Sequence, residues 1–273
     1  METTYGRIGR WALLGWLGLV FAFLFLPILV VVIYSFNGGR NLYVWTEFDT
    51  FWYGYALGNP RVLSTLAVSL QAALINAVVA VGLGVPAGIA LARRKGRWTG
   101  PFLILLFVIL GTPELVSAIG QMIWFDRIGL YDGLMRLAIG HSLFNIAVVA
   151  LIVRARAEGL DEQLEQAAAD LGAIPIRAFF GITLPLMFPA VLAGTLLAFT
   201  FSFDDVIISL FVQRPGTSTL PIHILSSFKP GLKGDVAAIV VITLAVSLIG
   251  IVTAALLLMR GERRGRALGG MLE

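Results

Sequence analysis

Long apolar runs separated by short polar segments make up nearly the whole chain. Most of these runs reach the roughly 20 residues that a helix needs to cross about 30 Å of hydrocarbon. The pattern predicts an all-α membrane protein with six transmembrane helices in one domain over residues 1–273. The predicted spans cover residues 11–34, 62–91, 101–124, 137–153, 186–212 and 236–259.

The composition supports lipid as the solvent of these runs. Hydrophobic residues make up 58% of the 273 positions and charged residues only 13%, whereas soluble domains carry about 25% charged residues. A globular surface could not be covered with so few charges, but apolar side chains can face lipid. The chain has no cysteine, so disulfides and thiolate metal sites are excluded. The two histidines, His141 and His223, lie too far apart in sequence to indicate a metal pair, and neither receives a role.

Positive charge is concentrated on one side of the predicted spans. Thirteen of the 20 basic residues fall there, namely Arg7, Arg10, Arg93, Arg94, Lys95, Arg97, Arg154, Arg156, Arg177, Arg260, Arg263, Arg264 and Arg266. Short loops rich in Lys and Arg stay in the cytoplasm. We therefore expect a multi-pass protein with both termini in the cytoplasm, whose first run stays in place as an anchor.

The segment 35–61, on the opposite side, is dense in aromatic residues. Such density is typical of an amphipathic segment at the level of the lipid headgroups. A soluble loop with buried aromatic side chains is the alternative interpretation.

Residues 158–185 form the longest loop on the basic side, and their pattern predicts a helix, a sharp turn and a second helix. Asp161 is placed as an N-cap with acidic residues after it, which the helix dipole favours. Gly172 stands where a C-cap needs left-handed backbone, and Pro175 suits the first turn of the next helix. The alternative is an ordinary loop helix that covers the end of the bundle.

The sequence of this loop resembles a known motif. Residues 164–173 read LEQAAADLGA and residues 182–185 read ITLP, which is similar to the EAA loop of permease subunits of type I ATP-binding-cassette (ABC) importers. The resemblance implies the type I permease fold, with this loop as a cytoplasmic coupling helix that docks on a separate ATPase. The implied coupling residues are Glu165, Gln166, Ala167, Ala168, Asp170 and Gly172. Gln166 stands where the family has a glutamate, so an ion pair from that position is not expected.

A second block narrows the resemblance. Residues 197–206 read LAFTFSFDDV, followed by FV at 211–212 and TLP at 219–221. This block resembles the second permease subunit of spermidine/putrescine-type importers. The resemblance implies a polyamine or related small solute, a second permease subunit in a heterodimer, two ATPase copies, an external solute-binding protein and a place in the bacterial inner membrane.

Three carboxyl groups interrupt the apolar runs. Glu114 follows Pro113, which breaks the helical hydrogen-bond ladder, and Asp204 and Asp205 lie in the fifth run. A carboxylate at a helix centre costs about 2.5–3.5 kcal/mol on insertion scales, so exposure to lipid is disfavoured. We expect Glu114, Asp204 and Asp205 to line a pathway for a cationic substrate, one aspartate facing the pathway and the other bonding to a neighbouring helix. The alternatives are a structural bond for the aspartates and a kink whose glutamate is satisfied by a neighbouring helix.

The energy source must lie outside this chain. It contains no G-x-x-x-x-G-K-[ST] sequence, so the resemblance places ATP and Mg on the partner ATPase and leaves this chain without a cofactor. No nucleophile–base pair or metal-ligand set indicates an enzyme, and nothing indicates nucleic-acid binding. Two other transport functions remain as alternative hypotheses. One is an ABC permease for another solute, such as an amino-acid derivative, an iron chelate or thiamine, and the other is an ion-coupled secondary transporter.

Overall fold

The computed structural model describes residues 4–39, 44–94, 96–228 and 234–269, with side chains described except those of residues 4–8, 254, 255 and 257–269. Over these ranges the chain is helical apart from short connections and one β-bridge between Asn37 and Phe48. The helices are α1 (Thr4–Tyr34), α2 (Phe51–Gly58), α3 (Pro60–Arg93), α4 (Thr99–Gly111), α5 (Glu114–Arg127), α6 (Gly133–Glu158), α7 (Gln163–Asp170), α8 (Pro175–Ala178), α9 (Leu184–Phe203), α10 (Ile207–Val212), α11 (Leu220–Ser227) and α12 (Gly234–Gly269). A π-helical turn, Phe179–Thr183, joins α8 to α9.

Within the described residues, five stretches are long and apolar enough to cross a membrane. They are Gly9–Tyr34, Pro60–Arg93, Gly133–Glu158, Pro175–Phe203 and Gly234–Thr253. The helices α4 and α5, bent by 103° at their junction, give a sixth crossing if they form one broken span. The predicted all-α membrane class is confirmed.

Two predicted spans differ from the structure. The third, 101–124, is not one helix, because α4 ends at Gly111 and the backbone of Thr112 is extended before Pro113. The fifth, 186–212, was predicted to be continuous, but α9 ends at Phe203 and α10 is separate. Proline lacks an N–H and explains the first break. At the second break, the carboxylate of Asp205 accepts the N–H of Ser209 (2.7 Å), which stabilises the first turn of α10.

The chain forms two compact units, Met1–Leu63 with Ile224–Val246 and Ser64–His223 with Ser247–Glu273. In the first unit no residue of α1 from Gly9 to Tyr34 is buried, as suits a helix in lipid. Phe36 stacks on Phe48 at 5.2 Å between ring centroids, whereas Phe48, Phe51 and Tyr55 are exposed, which favours the headgroup-level interpretation of this segment. The single domain expected over residues 1–273 stays a prediction.

In the second unit, α6 is the central helix and packs most extensively on α9. Its residues take part in three apolar clusters. The first also contains residues of α3 and α9, the second residues of α3, α5 and α10, and the third residues of α3 and α4. A Cβ added to Gly88 on α3 would lie 2.5 Å from the carbonyl oxygen of Ala150 on α6. Asn76 on α3 donates to the carbonyl of Ala198 (2.8 Å) and accepts from Asn145 (3.2 Å), which joins α3, α6 and α9. These contacts fix the helices that surround the cavity described next.

Candidate functional site

A cavity of about 750 Å³ lies within the second unit, where two helix breaks face α6. Glu114, Asp204 and Asp205, the three predicted pathway residues, all line it. Glu114 opens α5 directly after the Pro113 break, and the two aspartates form the link between α9 and α10. Irregular backbone at membrane depth is tolerated where it lines a cavity or is buried in protein. The two breaks therefore bring together acidic groups that lie about 90 positions apart in sequence.

Asp205 is held by several contacts. Its carboxylate Oδ1 accepts the N–H of Ser209 (2.7 Å) and lies 3.2 Å from Nε2 of His141 on α6. Its side chain is 6% exposed, and its carboxyl group also interacts with that of Glu114. Asp205 thus bonds to a neighbouring helix as well as lining the cavity.

Asp204 is exposed and lines the same cavity. Its backbone N–H makes the last bond of α9, to the carbonyl oxygen of Thr200 (3.0 Å). Both carboxylates therefore line the cavity, and that of Asp205 is in addition tied to His141 on α6. A role of either group in a transport pathway stays a prediction.

His141 is the residue that sequence reasoning missed. It receives no role from the sequence, but it is 2% exposed and joins α6 to α9 and α10 through polar contacts. Nδ1 lies 2.7 Å from the hydroxyl of Ser202, and Nε2 lies 3.0 Å from that of Ser209. Its position within an apolar run was the only available signal, because its partners lie more than 60 residues away in sequence.

The cavity lining is rich in hydrogen-bond acceptors. Besides the three carboxyl groups, it includes Gln121 and Asn145, whose buried side-chain oxygens receive no hydrogen bond from the described residues. Among the described residues no lysine or arginine lines the cavity. The arrangement suits a ligand that carries positive charge and N–H donors. The described residues contain no group of three or more His, Cys, Asp or Glu side chains that could hold a metal ion.

Arg136, at the start of α6, fixes one end of the helices around the cavity. It is 1% exposed, and its guanidinium donates to Val212 O at the end of α10 (2.8 Å) and to Asp126 on α5 (2.6 Å). Arg214 binds the same carboxylate (2.5 Å), so that Asp126 is paired with two arginines. The cluster joins α5, α6 and α10, which carry Glu114, His141 and the residues after Asp205.

The predicted coupling segment is a helix, a glycine turn and a helix, as the pattern indicated. Gly172 has φ +83°, and the N–H of Ala173 reaches back to Ala168 O (2.9 Å), which is a Schellman-type end. Pro175 lies in the first turn of α8. The N-cap position is Glu162, one residue later than predicted, although Asp161 still accepts the N–H of Gln163 (2.9 Å).

The six predicted coupling residues divide between two faces of this segment. Glu165 and Ala168 are half-buried, whereas Gln166, Ala167, Asp170 and Gly172 are exposed. Glu165 forms an ion pair with Arg93 at the end of α3 (2.9 Å) and accepts a hydrogen bond from Thr183. Glu165 therefore contacts this chain's own helices.

The exposed side of the segment continues in large apolar side chains beside the turn. They are Leu171, Ile174 and Ile176, of which Leu171 is 90% exposed. Exposed apolar side chains grouped in this way mark a contact surface.

Comparisons with known proteins agree with these features. Residues 84–261 match the family model described as binding-protein-dependent transport system inner membrane component. The chain is 36% identical over 253 residues to the putrescine transport system permease protein PotI of Escherichia coli K12, which covers 89% of each chain. It is 36% identical over 259 residues to the spermidine/putrescine transport system permease protein PotC of the same strain, covering 94% of this chain and 97% of the relative.

Solved structures resemble the fold. A chain of a bacterial ABC transporter involved in the import of the acidic polysaccharide alginate matches with a TM-score of 0.74 at 18% identity, covering 95% of this chain and 98% of that one. A chain of an amino acid ABC transporter matches with a TM-score of 0.59 at 18% identity, covering 79% of this chain and 100% of that one. At these identities the likeness shows the fold alone.

Proposed function

The chain belongs to the family of binding-protein-dependent transport system inner membrane components, and from this premise we propose that it carries polyamines across the membrane as the second permease subunit of a type I ABC importer. It is a multi-pass permease subunit, not an enzyme. One observation carries the substrate class, namely that Glu114, Asp204 and Asp205 converge on one cavity.

The chemistry of the cavity favours a linear polyamine. Spermidine and putrescine carry several ammonium groups at neutral pH, each of which donates hydrogen bonds and has no acceptor. The exposed carboxylate of Asp204 supplies a charged acceptor, and Gln121 and Asn145 supply neutral oxygens. Two relatives that are each 36% identical to this chain are described as a putrescine and a spermidine/putrescine transport system permease protein. An ammonium group beside Asp204 would gain a charge-assisted bond there.

The energy for transport would come from a separate ATPase that binds ATP and Mg, present in two copies. The proposed contact is the exposed side of α7 and its turn, with Gln166, Ala167, Asp170 and the apolar side chains of Leu171 and Ile174. Gln166 can exchange hydrogen bonds with the partner, but it supplies no charge.

The other proposed partners are a second permease subunit, which would form a heterodimer with this chain, and an external solute-binding protein. One structural neighbour is described as an alginate transporter in complex with a periplasmic protein that holds an alginate pentasaccharide. That description supports a solute-binding protein as a partner of this chain. The carboxyl groups that line the cavity favour a solute other than alginate.

We propose that the basic side of the protein faces the cytoplasm, with both termini there, in a bacterial inner membrane. Arg93 is the last residue of α3, Arg94 and Arg97 come after it, and Arg154 and Arg156 lie in the last turns of α6. Lys95 lies outside the described residues, as do the side chains of Arg7, Arg260, Arg263, Arg264 and Arg266. The coupling segment follows α6 on this basic side, as docking on a cytoplasmic ATPase requires.

Uptake by the assembled transporter tests the proposal. The permease pair, the ATPase and the binding protein are reconstituted in liposomes with labelled spermidine or putrescine. We expect uptake only with ATP, reduced by an excess of unlabelled polyamine. Uptake by this chain alone under an ion gradient would instead support a secondary transporter, and ATP-driven uptake of another solute that polyamines do not reduce would contradict the substrate class.

A further inference from the structure

An open groove lies between the end of α3 and the start of α4, away from the acidic cavity. Its volume is about 310 Å³. The residues that line it are Ala87, Ala90, Leu91, Arg94, Trp98, Thr99 and Phe102. Its lining is therefore almost entirely apolar along the helices, with a cationic group and an indole ring at one end.

The position of the groove in the membrane follows from the length of α3. This helix has 34 residues, considerably more than the roughly 20 that the hydrocarbon layer requires. Arg94 comes directly after the last helical residue, and Trp98 is 76% exposed. Arginine and tryptophan at the end of a span lie at headgroup level, and so the apolar part of the groove extends from there into the hydrocarbon.

Two neighbouring arginines at this end have different surroundings. Arg93 is tied to Glu165 at 2.9 Å. Arg94 is exposed and lines the groove, and Arg97 nearby in sequence is also exposed. A phosphate group at the mouth of the groove would therefore meet positive charge that is not balanced by Glu165.

We propose that this groove binds one anionic phospholipid, whose phosphate contacts Arg94 and whose acyl chain lies against Ala87, Ala90 and Leu91. The ring of Phe102 would close the other wall, and Trp98 would lie beside the glycerol region. Basic pockets between transmembrane helices bind anionic headgroups through this division of charge and apolar surface. An apolar groove that ends in a cation fits a lipid better than it fits a protein segment, because its charge and its apolar lining are separated along the membrane normal.

Lipid retention by the assembled transporter tests this site. The complex is purified in detergent, titrated with phosphatidylglycerol or with phosphatidylcholine of the same acyl chains, and examined by native mass spectrometry. We expect one phosphatidylglycerol to be retained in preference to phosphatidylcholine. Arg94→Gln should weaken its binding about fivefold, which corresponds to about 1 kcal/mol per basic residue near an anionic membrane surface. Arg127→Gln, at an exposed arginine outside the groove, is the matched control and should leave binding unchanged.

A second variant separates the apolar groove from the charge. Ala90 is exposed and lines the groove, so Ala90→Phe should fill it without disturbing the packing of α3 and should displace the bound lipid. The proposal is overturned if Arg94→Gln retains phosphatidylglycerol as the unaltered complex does, or if both lipids bind equally. It is also overturned if the lipid binds the isolated chain but not the assembled transporter, because the partner subunit would then cover the groove.

Discussion

The guanidinium group of Arg93, the last residue of α3, lies 2.9 Å from the carboxylate of Glu165 in α7. The same carboxylate accepts the hydroxyl of Thr183, just before α9 begins. Glu165 thus connects the proposed coupling helix with two membrane helices. A movement of α7 would be passed to α3 and α9 through these contacts, in addition to the covalent connection of the loop.

We predict that Glu165→Ala lowers transport per ATP hydrolysed while leaving the complex assembled. Loss of the partly exposed ion pair should cost no more than about 1 kcal/mol of stability, and the buried hydroxyl of Thr183, which loses its acceptor, should add about 1–3 kcal/mol. The ratio of polyamine uptake to ATP hydrolysis should fall about fivefold or more. This fall corresponds to about 1 kcal/mol, the lower end of typical coupling free energies. ATP hydrolysis and polyamine uptake are measured in the same liposomes.

The charge-reversed pair is the control for this prediction. Arg93→Glu and Glu165→Arg should each lower the ratio of uptake to hydrolysis, and the double variant should recover part of it. An uptake-to-hydrolysis ratio that is unchanged in all three variants would show that the ion pair has no part in coupling.

Gly172 gives a second prediction for the same segment. Its φ of +83° is a left-handed conformation, and a Cβ added there would meet no atom within 4 Å. The cost of Gly172→Val is therefore conformational, roughly 1–2 kcal/mol for an L-residue. Relief of this strain would change the direction in which the chain leaves α7. We expect lower uptake with unchanged capture of polyamine by the binding protein, measured by equilibrium binding.

Gly181→Ala is the matched control for Gly172→Ala. A Cβ at Gly181 also meets nothing within 4 Å, but its backbone is not left-handed. We expect Gly172→Ala to lower uptake and Gly181→Ala to leave it unchanged. Equal uptake by the two variants would remove the role of the turn geometry.

The acidic cavity predicts an effect on substrate affinity. Asp204→Asn removes a carboxylate that lines the cavity and is exposed. A charge-assisted hydrogen bond contributes about 1.5–3 kcal/mol, so the KM for polyamine uptake should rise about tenfold or more. Asp205→Asn should act on both KM and stability, since Asp205 also bonds to His141 and Ser209.

Glu47→Gln removes one negative charge outside the cavity and serves as the control for the aspartate variants. Its uptake curve should match that of the unaltered protein. If Asp204→Asn and Asp205→Asn also follow that curve, these aspartates do not bind the substrate.

His141 should contribute to stability through its hydrogen bonds. His141→Ala would leave Ser202, Ser209 and Asp205 with one partner fewer each, in a buried region. An unpaired buried polar group costs about 1–3 kcal/mol. We expect a lower midpoint of thermal unfolding in detergent and partial recovery in His141→Gln. Equal midpoints for the three proteins would contradict the structural role of the imidazole.

The extent to which the sequence predicts this molecule depends on whether a signal is local. Gly172 and Pro175 act on their own backbone, so the turn of the coupling segment follows from their positions. The cost of a charge in hydrocarbon led to Glu114, Asp204 and Asp205, and the structure does bring them together. In both cases the physical effect behind the prediction, a backbone preference or the cost of a buried charge, belongs to the residue itself and needs no distant partner.

Features that depend on distant partners were missed. The end of α9 at Phe203 was not predicted, because apolar residues continue on both sides of the two aspartates. The bond between His141 and Ser202 joins residues 61 positions apart, and that between Arg136 and Val212 joins residues 76 positions apart. Only the packing of α6 against α9 and α10 makes these contacts, and no pattern within α6 indicates them.

Two glycines six residues apart on α3 give the sharpest test of that packing. A Cβ at Gly88 would lie 2.5 Å from Ala150 O and 2.8 Å from a methyl carbon of Val153, whereas a Cβ at Gly82 would meet no atom within 4 Å. Gly88→Ala should therefore force α3 and α6 apart and cost about 1–3 kcal/mol, as overpacking does. Gly82→Ala should be neutral or stabilising by up to about 1 kcal/mol, because alanine is the better helix former.

The two glycine variants differ only in position, so loss of the glycine itself cannot explain a difference between them. The measurement is the fraction of complex that remains monodisperse in size-exclusion chromatography after heating, together with polyamine uptake. We expect Gly88→Ala to lose both and Gly82→Ala to keep both. Because α6 carries His141 and contacts α9, equal behaviour of the two variants would mean that the close approach of α3 to α6 does not hold the cavity together.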